Sequence, residues 1–505
     1  MLSGLLLAMF VSMVSNTIVA TALPIIVPDL GGTQAGYTWV VVATLLAMTA
    51  TTPVWGKLAD LFEQKRLLQV ALVIFTVGSL VAGLAPTMGV LIGARAIQGL
   101  GAGGIVALVQ VVIASIVPPR ERGRYAGYIG ATFALATVSG PLVGGLIVDT
   151  VGWRWTFLVG VPVAAVALYV LQRTLRIPRV RREVHVDYLG AFLLVGGVSV
   201  LLVWVSLAGN QFGWASPTSA VLVGISAVLL LAAVWVEARV ARDPVVPLRL
   251  FRDRTTALAT LASVFIGVAM FSATVYLAQY FQLAKGMIPT TAGLMTVAMV
   301  GGLLLSSITS GRLITTTGRW KRWLVGGMSL VVAGLALLST IDADTSLWVS
   351  GSFMAVLGLG LGATMQNLVL AVQNNTAQSD MGSASAVVTF FRSIGGSAGV
   401  SVLGAVLGHR VQDSVSRGLD RIGAPAGAAG SGGGAQGIPD LDQLPGPVRE
   451  VFQQAFGSAV GDVFLIALPF AVLAWICVVL IREVPLRTTI EWDEPAVSDE
   501  RAAAR

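Results

Sequence analysis

Three charged side chains stand out because of where they fall. Asp60 lies in "GKLADLFEQKR" (residues 56–66), an island of three bases and two acids between two long apolar runs. Arg95 and Arg392 each sit inside an apolar run. A carboxylate can dock on the exposed N–H groups of a helix N-terminus, a preference worth ~0.3–1 kcal/mol and more when partly buried. A guanidinium in mid-membrane costs ~2.5–3.5 kcal/mol even on a lenient insertion scale, so it should face a cavity or a polar partner. Bond-making chemistry is not indicated. The only histidines, His185 and His409, are far apart, and the single cysteine, Cys477, lies in an apolar run. Such a set makes a metal or thiol site implausible and allows no intrachain disulfide. "GLGAGG" at 99–104 is Gly-rich, yet no strand precedes it as a nucleotide fingerprint requires. No cofactor, no metal and no catalytic residue are expected.

The elements that must hold these charges are apolar helices. Of the 505 residues 55% are hydrophobic and only 11% are charged, with mean hydropathy +0.84. A soluble globular chain carries about 25% charged residues. The apolar residues come in blocks of about 20, the length of a spanning helix, and run continuously, unlike alternating barrel strands. The fold class expected is an all-α integral membrane protein with fourteen spans. They are placed near 3–28, 37–55, 67–86, 89–117, 125–149, 155–172, 188–208, 217–237, 255–284, 290–311, 323–341, 346–371, 384–408 and 459–481. The first run lacks a basic leader and a cleavage site, so it is expected to be a span rather than a signal peptide.

Lys and Arg give an independent check. With the N-terminus placed in the cytoplasm, 24 of the 32 bases fall in cytoplasmic segments and six in outer ones. That asymmetry fits fourteen spans with both termini inside. The net charge of +7 therefore records orientation, and no nucleic-acid partner is expected. Few Lys among many Arg, Ala, Gly and Val suggests a bacterial cell membrane. The long outer loop, 410–458, holds the flexible "GAPAGAAGSGGGAQG". Its end places Val448, Val451, Phe452, Ala455 and Phe456 on one helical face. A short helix lying on the outer membrane surface is the expectation there.

An internal repeat organises the spans. "GKLADLFEQKR" at 56 is echoed by "GRLITTTGRWKR" at 311. "GLGAGG" at 99 is echoed by "GLGLGA" at 358, and the same offset carries Glu121 and Gly123 onto Asp380 and Gly382 and Gly140 onto Gly399. The reading is a six-helix half at 1–172, two additional helices with linkers at 173–254, a second six-helix half at 255–481, and a cytoplasmic tail at 482–505. Duplicated halves around a central site are a transporter design.

Several motifs then converge. Gly56-x-Leu58-Ala59-Asp60 with Lys65-Arg66 is similar to the loop 2–3 signature of the major facilitator superfamily. Leu91-x-x-x-Arg95-x-x-Gln98-Gly99-x-Gly101 resembles its helix 4 signature. Ser139-Gly140-Pro141-x-x-Gly144-Gly145 resembles the helix 5 signature associated with antiporters. "TIVATALP" (17–24) and "WRWTF" (153–157) also look like the fourteen-span drug:proton antiporters, and the resemblance covers nearly the whole chain. The chain departs in carrying Glu63-Gln64 where the loop signature has Gly-Arg, and Ser15 where helix 1 usually has an acid.

The resemblance implies roles. Asp60, with Gly56, Lys65 and Arg66, would form a conformational latch against the start of the thirteenth span near Gly382 and Ser383. Arg95 would set the charge state of the cavity, with Arg392 a second candidate. Gly140, Pro141, Gly144 and Gly145 would shape a gating helix, since Pro removes a backbone hydrogen bond and small residues allow close approach. Phe133, Gln366, Asn367 and Phe390 are candidates for cavity lining.

Proton antiport needs a group that titrates across the membrane, and none of the 25 acids lies mid-span. Asp29 or Asp149, near the outer ends, would have to serve through a water-filled cavity. The missing anion also points to neutral, zwitterionic or anionic amphiphiles as cargo. The function expected is a monomeric secondary exporter of small amphiphilic or drug-like compounds, exchanging them for protons by alternating access. The alternative is a lipid or metabolite exporter of the same fold with weak or no proton coupling. A channel and a membrane enzyme are the competing classes; the duplication argues against the first and the missing reactive cluster against the second.

Overall fold

A backbone inside a bilayer must satisfy its own hydrogen bonds, so apolar runs become helices. The computed structural model describes residues 2–32, 34–175, 185–209, 211–422 and 445–487. Among these the spans are α1 (Leu2–Asp29), α2 (Gln34–Leu61), α3 (Gln64–Gly83), α4 (Met88–Ile116), α5 (Pro119–Thr150), α6 (Trp155–Leu158) continuing into α7 (Gly160–Thr174), α8 (Tyr188–Leu207) and α9 (Pro217–Arg239). Then come α10 (Arg254–Gln279), α11 (Pro289–Met295) stacked on α12 (Val297–Thr317), α13 (Lys321–Leu338), α14 (Leu347–Asn375), α15 (Met381–Arg421) and α16 (Gly446–Leu480). Fourteen of these segments are long and apolar enough to cross a membrane. No strand occurs among the described residues beyond one bridge between Ala208 and Phe212.

Local sequence sets the ends. The side chains of Thr87, Asp187, Ser216, Asp253 and Ser346 each accept a backbone N–H in the first turn of α4, α8, α9, α10 and α14. They satisfy donors that a helix start leaves open. Gly318, at φ +71°, stops α12 in the left-handed region that a side chain disfavours.

Successive spans alternate in direction. Residue 2, the connections after α2, α4, α12 and α14, and residue 487 therefore share one face, termed here the basic face for its Lys57, Lys65, Arg66, Arg120, Arg122 and Arg124. The packing is two-fold in pattern. α4 packs on α2 and α3 as α14 packs on α12 and α13, and α1 packs on α5 as α10 packs on α15. Between the halves, α2 meets α15 and α12 meets α5. α8 and α9 pair with each other, and α8 leans on α2 and α15.

Three expectations need correction. "GKLADL" is not loop: α2 runs on to Leu61, leaving Phe62 and Glu63 as the connection. The thirteenth span continues past 408 to Arg421. No separate surface helix exists at 448–456 either, because Gly446–Leu480 is one helix. The apolar stripe is real but covered by protein: Val448 and Ala455 pack with Val415 and Leu419 of the extended α15. The flexible core of that loop (423–444), the linker 176–184 and the tail beyond 487 lie outside the described residues.

Candidate functional site

The end of α2 brings Gly56 and Asp60, one turn apart, onto the same face. That face meets the first turn of α15. A Cβ on Gly56 would stand 2.3 Å from Ala386 Cβ, and one on Gly382 would stand 2.3 Å from the Gly56 carbonyl. Only glycines allow this approach. It delivers the Asp60 carboxylate to the α15 N-terminus: Oδ1 accepts from Gly382 N (2.7 Å), and Oδ2 accepts from Ser383 N (2.9 Å) and Ser383 Oγ (2.7 Å). Ser383 is buried and Asp60 partly so, which strengthens charge-assisted bonds of this type.

Lys65 and Arg66, grouped with Asp60 on sequence, go elsewhere. Lys65 Nζ donates to the Gln172 carbonyl at the end of α7 (2.9 Å), and Arg66 pairs with Glu63 (2.9 Å). Other charges take their place around the junction. Arg249 pairs with Asp380, just before α15, at 2.8 Å, and buried Lys57 lies 3.8 Å from Asp243. Both Arg249 and Asp243 belong to the segment that follows the inserted pair α8–α9, so that pair reaches the junction through its linker. Their separation in sequence left no signal to find.

The two-fold mate of this junction is built differently. Gly311 of α12 and Gly123 of α5 also abut, with a Cβ on Gly311 falling 2.1 Å from the Gly123 carbonyl. Thr315 stands where Asp60 would. Arg120 instead donates to the Thr315 and Thr316 carbonyls at the α12 C-terminus (3.4 Å each). An anion caps a positive helix end at one junction, and a cation caps a negative helix end at the other.

Beneath these seams the helices close. Residues 381–390 of α15 are all buried, as are 107–115 of α4 and 367–374 of α14. Towards the opposite face α4 exposes Val90, Gly93, Ile97 and Leu100, and α14 exposes Leu347, Trp348, Val349 and Ser352. The bundle is sealed at the basic face.

Arg95 is buried (3% exposed) within a polar knot in the first half. Its Nη1 donates to Gln98 Oε1, its Nη2 to Asn16 Oδ1 (3.2 Å) and its Nε to the Val40 carbonyl (3.4 Å). Gln98 in turn donates to Ser15 Oγ (2.9 Å) and Ser79 Oγ (2.8 Å). Ser15, where the resembling signature has an acid, thus supplies an uncharged acceptor. The basic guanidinium is held by neutral groups. Asp29 does not reach it: that carboxylate accepts from Trp153 Nε1 (2.8 Å) and lies 3.6 Å from Arg154, at the opposite face.

On the gating helix, a Cβ on Gly140 would stand 1.9 Å from Thr17 Oγ1, which itself donates to the Ala136 carbonyl. α1 and α5 are therefore tightly apposed here. Gly144 is buried, and Gly145 faces open space. α5 stays helical through 141, while the side chains of Pro141 and Asp149 lie outside the described ones. Phe133 and Gln366 are half-buried, and Asn367 is buried with its amide on the Ala363 carbonyl. Phe390 packs in a cluster with Ala50, Leu194 and Val198, towards α2 and α8. Two residues along a helix turn about 200°, so Phe390 and Arg392 point to opposite sides of α15.

The tail also contributes structure. Trp320 Nε1 donates to the Val484 carbonyl, Asn374 Nδ2 to Pro485 O (3.2 Å), and Arg487 N to Asn374 Oδ1 (3.1 Å). Arg120 N of the first half reaches the Arg487 carbonyl at 3.1 Å. Residues 481–487 are thus a strap across the basic face.

Residues 5–400 match the sequence profile of the Major Facilitator Superfamily. The chain belongs to the major facilitator superfamily. Among its relatives is an uncharacterized MFS-type transporter of Mycobacterium tuberculosis, 36% identical over 499 residues, covering 98% of this chain and 71% of that one. Another is the multidrug transporter protein MdtP of Bacillus subtilis, 34% identical over 430 residues, covering 84% and 79%. The crystal structure of the human organic anion transporter MFSD10 shares the fold, with a TM-score of 0.61 at 14% identity, covering 93% of this chain and 98% of that one. This superfamily protein is accordingly a multi-pass membrane transporter and not an enzyme.

Proposed function

We propose that this transporter is a secondary exporter of small amphiphilic or drug-like compounds, working by alternating access and exchanging cargo for protons. The basic face is cytoplasmic, the membrane is a bacterial cell membrane, and the unit is a monomer. One observation carries the reading. The Asp60 carboxylate binds the start of α15 through contacts that require α2 and α15 to touch. Opening the basic face must break them. Contacts present in one state alone bias a two-state equilibrium, which is what a carrier needs and a channel does not. The multidrug name of the Bacillus subtilis relative supports the cargo. The domain plan behind it is two six-helix halves with α8 and α9 inserted, the linker of the insert bracing the latch.

A second reading is favoured by the acids. Among the described residues none lies mid-span, and the two buried ones, Glu237 and Asp380, sit at the basic face, as does partly buried Asp60. That favours a lipid or metabolite exporter with weak or no proton coupling. Counterflow in proteoliposomes tests the shared core. Unlabelled cargo inside should drive transient uptake of labelled cargo against its gradient, whereas a channel gives no such overshoot.

A further inference from the structure

We propose that Arg392 receives an anionic head group, so that the preferred cargo is an amphiphile carrying one negative charge; this rests on the exporter reading above. Arg392 lies eleven residues into α15. At 1.5 Å per residue that is about 16 Å deep, near the middle of a hydrocarbon core of about 30 Å. The side chain is 7% exposed. Its single side-chain hydrogen bond runs from Nη1 to the Met365 carbonyl of α14, at 3.4 Å. No carboxylate among the described residues pairs with it.

The side chain faces into the second half and not the surrounding bilayer. Arg392 shares a face of α15 with Ser385, Gly395, Gly396 and Gly399. Ser385 faces Gln373 of α14, and the three glycines pack on Val264, Phe271 and Val268 of α10. Phe390 and the inserted helix α8 occupy the far side. The guanidinium therefore points to the seam between α10 and α14, inside the second half. Nε and Nη2 make no hydrogen bond, yet neither is sealed from solvent-accessible space. Gln366, the next residue after Met365, is half-buried and leaves its amide without a partner.

Arg95 makes the contrast. It is also buried, at 3% exposed, but its donors are taken by Gln98, Asn16 and Val40. Phe133 stands at the two-fold mate of Arg392, so this charge belongs to the second half alone. A mid-membrane fork with two free edges is stabilised most by an anion that it can bind bidentately, such as a carboxylate or a phosphate. The apolar body of the amphiphile then lies along the seam towards the opposite face.

The test uses the purified full-length chain and three fluorescent probes: a dansyl-labelled undecanoic acid, its methyl ester and the amine of equal length. Equilibrium binding should favour the acid over the ester by about tenfold or more, the scale of one charge-assisted hydrogen bond. In Arg392→Gln the acid-to-ester ratio should fall to near one. In Arg392→Lys it should be intermediate, because an ammonium keeps the charge but not the fork. Phe390→Leu, on the other side of α15, should keep the ratio. An unchanged ratio in Arg392→Gln, or a preference of the natural chain for the amine, overturns the proposal. If Arg392→Gln binds no probe, Arg392→Lys decides, and its ratio must fall. Failure of vesicles to move any probe removes the exporter reading, while the binding ratio still judges the site. A labelled phosphatidylglycerol that competes with the acid assigns the anion to a membrane lipid; without competition it is a dissolved solute.

Discussion

Asp60→Asn is the most informative single change. The substitution keeps one oxygen, which can still accept from Gly382 N. It replaces the other with an NH2 group that cannot accept from Ser383 N or Ser383 Oγ. Two of three charge-assisted bonds are lost, in a setting that is partly buried. Each such bond is worth about 1.5–3 kcal/mol, and water and salt recover part of the total once the basic face opens. A net shift equal to one bond changes the closed-to-open ratio about ten- to 150-fold. Double electron–electron resonance reads this directly. With Cys477→Ala removing the single native thiol, spin labels at exposed Phe62 and Ala377 report the gap between α2 and α15. Asp60→Asn should move the distance distribution towards longer values. In vesicles, maximal turnover should fall more than apparent affinity. An unchanged distribution, or a weakened affinity with normal turnover, refutes the latch.

Gly56→Val should act in the same direction by sterics, since its first side-chain carbon already falls 2.3 Å from Ala386. Overpacking of that kind costs about 1–3 kcal/mol and should open the same label pair. Asn374→Ala releases the strap from its three contacts with Asn374, to Val484, Pro485 and Arg487. Trypsin should then cut after Arg487 about five- to 150-fold faster, on a loss of about 0.5–1.5 kcal/mol for each of the two shorter bonds. Unchanged cleavage would show that Trp320 and the Arg120 backbone hold the strap without it.

The order of spans was legible because a bilayer asks for length and apolarity, both written locally. The meeting of Asp60 with Gly382 and Ser383 could be anticipated because a carboxylate prefers a helix N-terminus and the family resemblance pairs those positions. Its function as a latch remains with the proposal. Lys65 and Arg66 were misplaced for a geometric reason. Once α2 continues to Leu61, the turn at Phe62 and Glu63 swings the next residues onto α3, facing α7 instead of α15. The Arg249–Asp380 pair spans 131 positions and carries no periodicity. The stripe at 448–456 shows a further limit: periodicity reveals that a face is covered but not by what. Here the cover is the extension of α15.

The most direct test of proton-coupled export is transport of a labelled amphiphile into inside-out proteoliposomes, with and without an acidic lumen. Uptake should accelerate when the lumen is acidic and fall back when an ionophore collapses the gradient. Uptake that ignores the gradient would contradict proton exchange and leave the uncoupled exporter in its place.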